Sequence, residues 1–265
     1  MLRLVRIEYL KLKSNKALWI LLGLYFVAIS ATVIGLGAFL DYLTREGLDF
    51  RGINPSLFPI YDWEDIWHNL AYIAYYFSVF PAFLLIISIC NEFSFKTHRQ
   101  NIIDGLSRTE FFLSKLSFAA FLAIASAIAL FVLGLILGVA HSESGMEAFG
   151  NTLIFIPGHA LELFFTFLFA MLLALLIRRS GITIVVFLIY IFIEWIVSIY
   201  VGENHPAFRF LVPLDTMSSI VRVPFSKYIL METPDFISWQ DVLKASAWGS
   251  VITFLIFLIL KKKDF

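Results

Sequence analysis

The sequence predicts an all-α, polytopic membrane protein with six transmembrane helices. Three observations lead there. Sixty per cent of the 265 residues are hydrophobic and only 15% are charged, against roughly 25% charged in soluble domains. The mean hydropathy is +0.86. Six stretches are apolar enough to cross ~30 Å of hydrocarbon, which takes about 20 helical residues. They are 17–40, 69–91, 111–140, 152–177, 181–201 and 243–260. No internal repeat, low-complexity segment or soluble domain interrupts them, so 1–265 reads as a single transmembrane domain.

Ahead of the first span, 1–16 reads as a basic amphipathic helix. Leu2, Val5, Tyr9 and Leu12 recur at helical spacing, with Arg3, Arg6 and Lys13 off that stripe. Such a helix lies in the headgroup layer with its cations on anionic lipid. It anchors the N-terminus, offers a docking surface to a cytoplasmic partner, or does both. The first span is too long for a signal-peptide core and no small-residue cleavage site follows it. It is therefore expected to be retained.

Lys and Arg set the orientation, because cytoplasmic loops carry the excess of both. With the N-terminus inside, fourteen of the twenty fall in inside segments and six outside, while thirteen of twenty acidic residues fall outside. The reading is a multi-pass protein of the plasma membrane, a bacterial inner membrane, with both termini cytoplasmic.

Local signals mark the helix ends. Asp62 is expected to cap a helix beginning at Trp63, with Asp65 at the third position. Ser107 and Glu110 form an S-x-x-E capping box at the third span, with Leu106 and Phe111 as its hydrophobic staple. Ser238 with Asp241 repeats the box at the sixth. Gly202 is a stop for the fifth. Trp63, Trp67 and Trp239 fall where amphipathic rings settle at a membrane interface. Pro81 is expected to kink the second span. The single cysteine, Cys90, rules out an internal disulfide and reads as a small buried apolar residue.

Ionisable residues inside spans are costly, about 2.5–3.5 kcal/mol each on insertion scales. His159 and Glu162 in the fourth span, three residues apart on one face, and Glu194 in the fifth are the clear cases. They line a substrate path, hold helices together through buried hydrogen bonds, or, for Glu194, reach the interface. One His and one Glu are too few ligands for a metal, so no metal site is assigned.

The connection from the second to the third span, 92–110, spends about twenty residues where a few suffice. Thr97–Asp104 reads as a short helix ended by Gly105, braced between two spans. It transmits motion from below the membrane or simply covers the end of the bundle. The pattern in question is Glu92, Thr97, Arg99, Gln100, Asn101, then Asp104, Gly105, Ser107 and Arg108, then Lys115. It resembles the first cytoplasmic loop of type-2 ATP-binding cassette (ABC) permeases, the membrane subunits of that exporter family. The basic amphipathic N-terminus, the six spans and the lysine-rich end Lys261-Lys262-Lys263-Asp264-Phe265 agree with the same layout. One departure is Lys96, where the family often has glycine.

By this resemblance, those ten residues form a coupling helix and its surroundings that dock on an ATPase subunit. No G-x-x-x-x-G-K-[ST] phosphate loop is present. The chain itself is then no enzyme and holds no cofactor, and ATP and Mg would sit on a separate cytoplasmic ABC ATPase, in two copies. Six spans are half of what such exporters use, which implies a second permease copy, a homodimer or a similar partner. Lipid, and no nucleic acid, completes the expected surroundings. Gly202–Gln240, semi-apolar and about 40 residues long, resembles the re-entrant extracellular helices (202–240) that close the exit of such exporters; otherwise it is a small cap resting on the membrane. Two rival classes stand beside this one. One is an intramembrane enzyme using His159, Glu162 and Glu194, although no G-x-S-x-G or H-E-x-x-H motif supports it. The other is a non-catalytic assembly or sensor subunit.

Overall fold

A computed structural model describes residues 16–48, 54, 58–97, 107–225, 227–228 and 235–262. All regular structure among them is helical. Helix α1 spans Lys16–Arg45, α2 Ile66–Tyr75, α3 Val79–Ser94, α4 Arg108–His141, α5 Phe155–Ile177, α6 Ser180–Asn204, α7 Pro213–Met217 and α8 Trp239–Lys262. Single 3-10 turns at Met146–Gly150 and Pro206–Leu211 precede α5 and α7. Among the described residues five helices are long and apolar enough to cross a membrane, and α2 with α3, bent by 46° at the break between them, is together apolar enough to count as a broken sixth span or a re-entrant pair. Each span found in the sequence corresponds to one of these. The predicted N-terminal amphipathic helix lies outside the described residues.

The bend has a local cause. Pro81 is the third residue of α3, where an N–H has no partner within the helix. Its ring would clash with the carbonyl four residues back, that of Phe77. The chain breaks into turns at 76–78, just ahead of it. The predicted kink is therefore a full interruption.

Helix α5 is the hub. In its most apolar stretch 61% of residues are buried, against 17–22% in α1, α6 and α8. Its sequence is apolar all round, which suits a helix enclosed by neighbours. Leu163, Phe167, Leu168, Met171 and Leu175 form the centre of one core with α3, α4 and α8. A second core gathers around Trp63, Trp67 and Leu70 with Tyr25, Leu130 and Phe155. Large apolar side chains on α1 and α6, such as Ile20, Val27, Phe192 and Trp195, are exposed, as expected where lipid is the solvent.

Trp63 and Trp67 differ from expectation. Both are buried, and Trp67 Nε1 donates to the Phe149 carbonyl at 2.8 Å. Their rings lie against Gly134 and Gly138 of α4, where a methyl group at either glycine would overlap them. A G-x-x-x-G spacing lets a neighbour approach the helix backbone closely, and here the neighbours are indoles. Trp239, by contrast, is 68% exposed.

Helix ends follow in part. Ser107 and Glu110 close the capping box: Ser107 Oγ accepts from the Glu110 N–H at 3.1 Å and Glu110 Oε2 accepts from the Ser107 N–H at 2.8 Å. The staple partner Leu106 lies outside the described residues. Asp62 does not cap a helix at Trp63; the chain turns there and α2 begins at Ile66. Its carboxylate reaches across to Ser142 Oγ at 3.2 Å and the Ser144 N–H at 3.3 Å. At α8, Asp241 directs its carboxylate to Arg222 (2.6 Å) instead of closing a box on Ser238. Helix α6 passes Gly202 and ends at Asn204. Cys90 is buried.

Candidate functional site

The bundle has two chemically distinct ends. One, here termed the basic end, gathers Lys96, Arg108, Lys115, Arg178, Arg179 and Lys261. The other, the acidic end, gathers 58–65, 142–155, 203–225, 227–228 and 235–241. Contacts between connections stay within each end. At the basic end Arg108 Nη1 donates to the Lys261 carbonyl at 2.7 Å, and the Arg178 guanidinium lies 4.6 Å from the Phe93 ring centre. At the acidic end Asp62 meets Ser142 and Ser144, and Lys227 meets Asp65 and Asp235.

Of the ten residues singled out at the basic end, five are described. Glu92 and Lys115 are buried and form an ion pair, Nζ to Oε1 at 2.7 Å. Their charged groups therefore point into the bundle. Lys115 also lies 5.3 Å from the Phe111 ring centre. Thr97 Oγ1 donates to the Glu92 carbonyl at 3.4 Å. Ser107 and Arg108 stay exposed at the start of α4. Arg99, Gln100, Asn101, Asp104 and Gly105 lie outside the described residues, as does the expected coupling helix. Lys96 has φ of +55°. That left-handed conformation costs a residue with a Cβ and is free for glycine.

Towards the acidic end, the three ionisable residues of the spans have separate surroundings. His159 is fully buried and faces the backbone of Ala71 without a hydrogen bond of good geometry. Glu162 Oε1 accepts the Val221 N–H at 2.6 Å. Glu194 Oε1 accepts the Leu214 N–H at 2.5 Å and the Asp215 N–H at 3.2 Å. Both carboxyls thus hold one semi-apolar segment, 206–222. Its middle dips into the bundle, with Leu214, Met217, Ile220 and Val221 buried. The N–H groups that Glu194 receives belong to the first turn of α7, which has no partners within the helix. Pro213 starts that helix, where a missing N–H costs nothing.

More side chains fasten the same segment. Ser198 Oγ donates to Asp215 at 2.5 Å, and Arg209 grips Asp215 through two nitrogens at 2.7 and 2.9 Å. The Asp215 hydrogen bond raises the Arg209 guanidinium above its ordinary value. His68 hydrogen-bonds the Arg222 carbonyl at 2.8 Å while its ring stacks on Phe155. Asn69 Nδ2 donates to Tyr228 Oη at 2.8 Å, and Trp248 to the Phe210 carbonyl at 2.8 Å. Burial works against the Lys227 ammonium, but Asp235 and Asp65 outweigh it and raise its pKa. These partners, His68, Asn69, Asp215 and Arg222 among them, were missed in the sequence. His68 and Asn69 were visible as polar residues entering a span; their partners, more than 150 residues away, were not.

At the acidic end a cavity of about 550 Å³ opens between Asp65, Thr152, Lys227, Tyr228 and Asp235. Among the described residues no group of three or more His, Cys, Asp or Glu could hold a metal ion. A family model described as ABC-2 family transporter protein matches residues 4–194. No curated protein matches the chain.

Proposed function

The chain belongs to the ABC-2 family of transporter proteins, as a membrane permease subunit, and from that premise we propose that it serves an ATP-driven exporter. ATP hydrolysis takes place on a separate cytoplasmic ABC ATPase, present in two copies, with Mg beside the nucleotide. The permease pairs with a second copy of itself. It lies in a bacterial inner membrane with both termini, and hence the basic end, in the cytoplasm. The connection between α3 and α4 carries the docking surface, with Thr97, Arg99, Gln100, Asn101, Asp104, Gly105, Ser107 and Arg108 available to the ATPase, while Glu92 and Lys115 face inward and support it. His159, Glu162 and Glu194 flank the substrate path.

One observation supports this reading above the rest. The 95–107 connection is fastened at both roots, by the Glu92–Lys115 pair and by the Ser107–Glu110 box. A connection anchored this way passes an applied displacement to two spans instead of absorbing it. The net basic character of this end also satisfies the positive-inside rule.

The test is purification of the tagged chain from its native membrane in mild detergent, with mass spectrometry of what accompanies it. An ABC ATPase in stoichiometric amount is expected, and its ATP hydrolysis should no longer drive transport in the Arg99→Glu/Arg108→Glu variant, which still inserts. Absence of any ATPase would overturn the reading, and unchanged coupling in the double variant would remove the docking surface.

A further inference from the structure

We propose that Glu92 and Lys115 are positioning residues: their buried ion pair makes the ends of α3 and α4 move as one when the connection between them is displaced. This rests on the permease reading above.

Glu92 lies in the last turn of α3 and Lys115 about two turns into α4. The pair is enclosed, the side chains being 0% and 7% exposed for Lys115 and Glu92. Stability alone does not account for it. Removing two charges from water is costly, and apolar residues of similar volume often replace such a pair without loss. What apolar contact does not supply is a fixed register, because it is non-directional. A 2.7 Å charged hydrogen bond holds one atom of α3 against one atom of α4.

Glu92 also sits where the connection leaves the helix. Its carbonyl accepts the Thr97 hydroxyl, and Lys96 between them holds the left-handed turn. One residue therefore binds the connection through its backbone and the opposite span through its side chain. The Ser107–Glu110 box fixes the other root. Phe111, on the same face as Lys115 one turn earlier, is 1% exposed and packs into the core beneath. A push on the connection thus reaches the hub helix α5 through a core that both α3 and α4 line.

Two double variants test this in complex with the ATPase. Glu92→Gln/Lys115→Met removes the charges at similar volume, and Glu92→Lys/Lys115→Glu reverses the pair. The readout is labelling of Met217→Cys, fully buried on α7, by a membrane-impermeant maleimide with and without ATP, in a Cys90→Ser background. In the parent, ATP is expected to speed labelling about tenfold. The neutral pair should bind as much ATPase as the parent and melt within a few degrees of it, yet lose most of that response. The reversed pair should recover at least half. A neutral pair that responds like the parent overturns the proposal, as does one that loses the ATPase or fails to fold. A parent complex with bound ATPase and no response to ATP overturns it too, since there is then no movement to carry. Failure to recover any ATPase with the parent is a different result, and it overturns the ATP-driven reading itself.

Discussion

Replacing Glu194 by leucine should release the 206–222 segment from the bundle. Leucine keeps most of the volume and removes the acceptor for the Leu214 and Asp215 N–H groups, which lie at 2.5 and 3.2 Å from Oε1. Each buried donor left without a partner costs about 1–3 kcal/mol, so the two together cost about 2–6 kcal/mol. The loss falls on a local opening equilibrium and not on the whole fold, because the long helices do not depend on these bonds. It corresponds to roughly 30-fold to 3 × 10⁴-fold more frequent opening. Glu162→Leu frees one donor, Val221 N–H, and should have about half the effect in free energy. Glutamine keeps a carbonyl oxygen at the same place, so Glu194→Gln and Glu162→Gln should open within about threefold of the parent. The assay is the labelling rate of Met217→Cys at the acidic end, with amide hydrogen exchange over 212–221 as a second readout. Leucine variants that label no faster than the parent would refute the reasoning, as would glutamine variants that label as fast as leucine ones. In the second case the charge, and not the acceptor, is what matters. Substrate range altered by glutamine alone, with labelling unchanged, would show the carboxyls acting on cargo as well.

Three further outcomes are expected. Gly138→Ala gains about 1 kcal/mol of helix propensity but overlaps the Trp63 ring, and overpacking costs about 1–3 kcal/mol; its melting temperature should fall while that of Gly35→Ala, with open space around it, rises. Lys96→Gly relieves the left-handed backbone at +55° while adding freedom to the unfolded chain, terms of about 1 kcal/mol each, so melting should stay within a few degrees, whereas Lys96→Val should lower it. Burial raises the Asp62 carboxyl, but hydrogen bonds from Ser144, the Glu64 N–H and Ser142 outweigh it and hold its pKa down. A pKa depressed in the folded state adds stability at neutral pH that is lost as the pH falls below about 4, so the melting difference between parent and Asp62→Asn should shrink between pH 7 and pH 3.5.

The spans were legible because a membrane helix is specified by composition over some twenty residues, a signal that needs no partner. The Ser107 box was legible for the same reason: both halves lie within four residues. The tryptophans were misread because two rules compete for the same residue. An indole suits an interface, and it also suits a groove made by two glycines one turn apart. Gly134 and Gly138 are in the sequence, but nothing in it says that Trp63 and Trp67, about seventy residues earlier, cross them. Glu162 and Glu194 were recognised as exceptional from their burial in spans alone. Their partners are backbone N–H groups, which every residue except proline carries, so no side-chain pattern could mark them. Glu92 and Lys115 shared one charged stretch with exposed residues, and only the packing of α3 on α4 separates the inward pair from the outward ones.

The connection between α5 and α6 is two residues, Arg178 and Arg179, with Arg178 in a left-handed turn at φ of +60°. For any rotation between the two helices it would act as a fulcrum. Glu162 and Glu194 lie about fifteen residues from it along their respective helices, or about 22 Å at 1.5 Å per residue. A splay of only about 5° between the two helices separates them there by about 2 Å. That is enough to carry a hydrogen bond of 2.6 Å beyond bonding distance. Under such a rotation the segment clasped by both carboxyls would lose a hold on one arm, so an angle too small to disturb the packing near the two arginines would be amplified at the far end. Lengthening the fulcrum by a few flexible residues would let the arms drift apart without any such leverage.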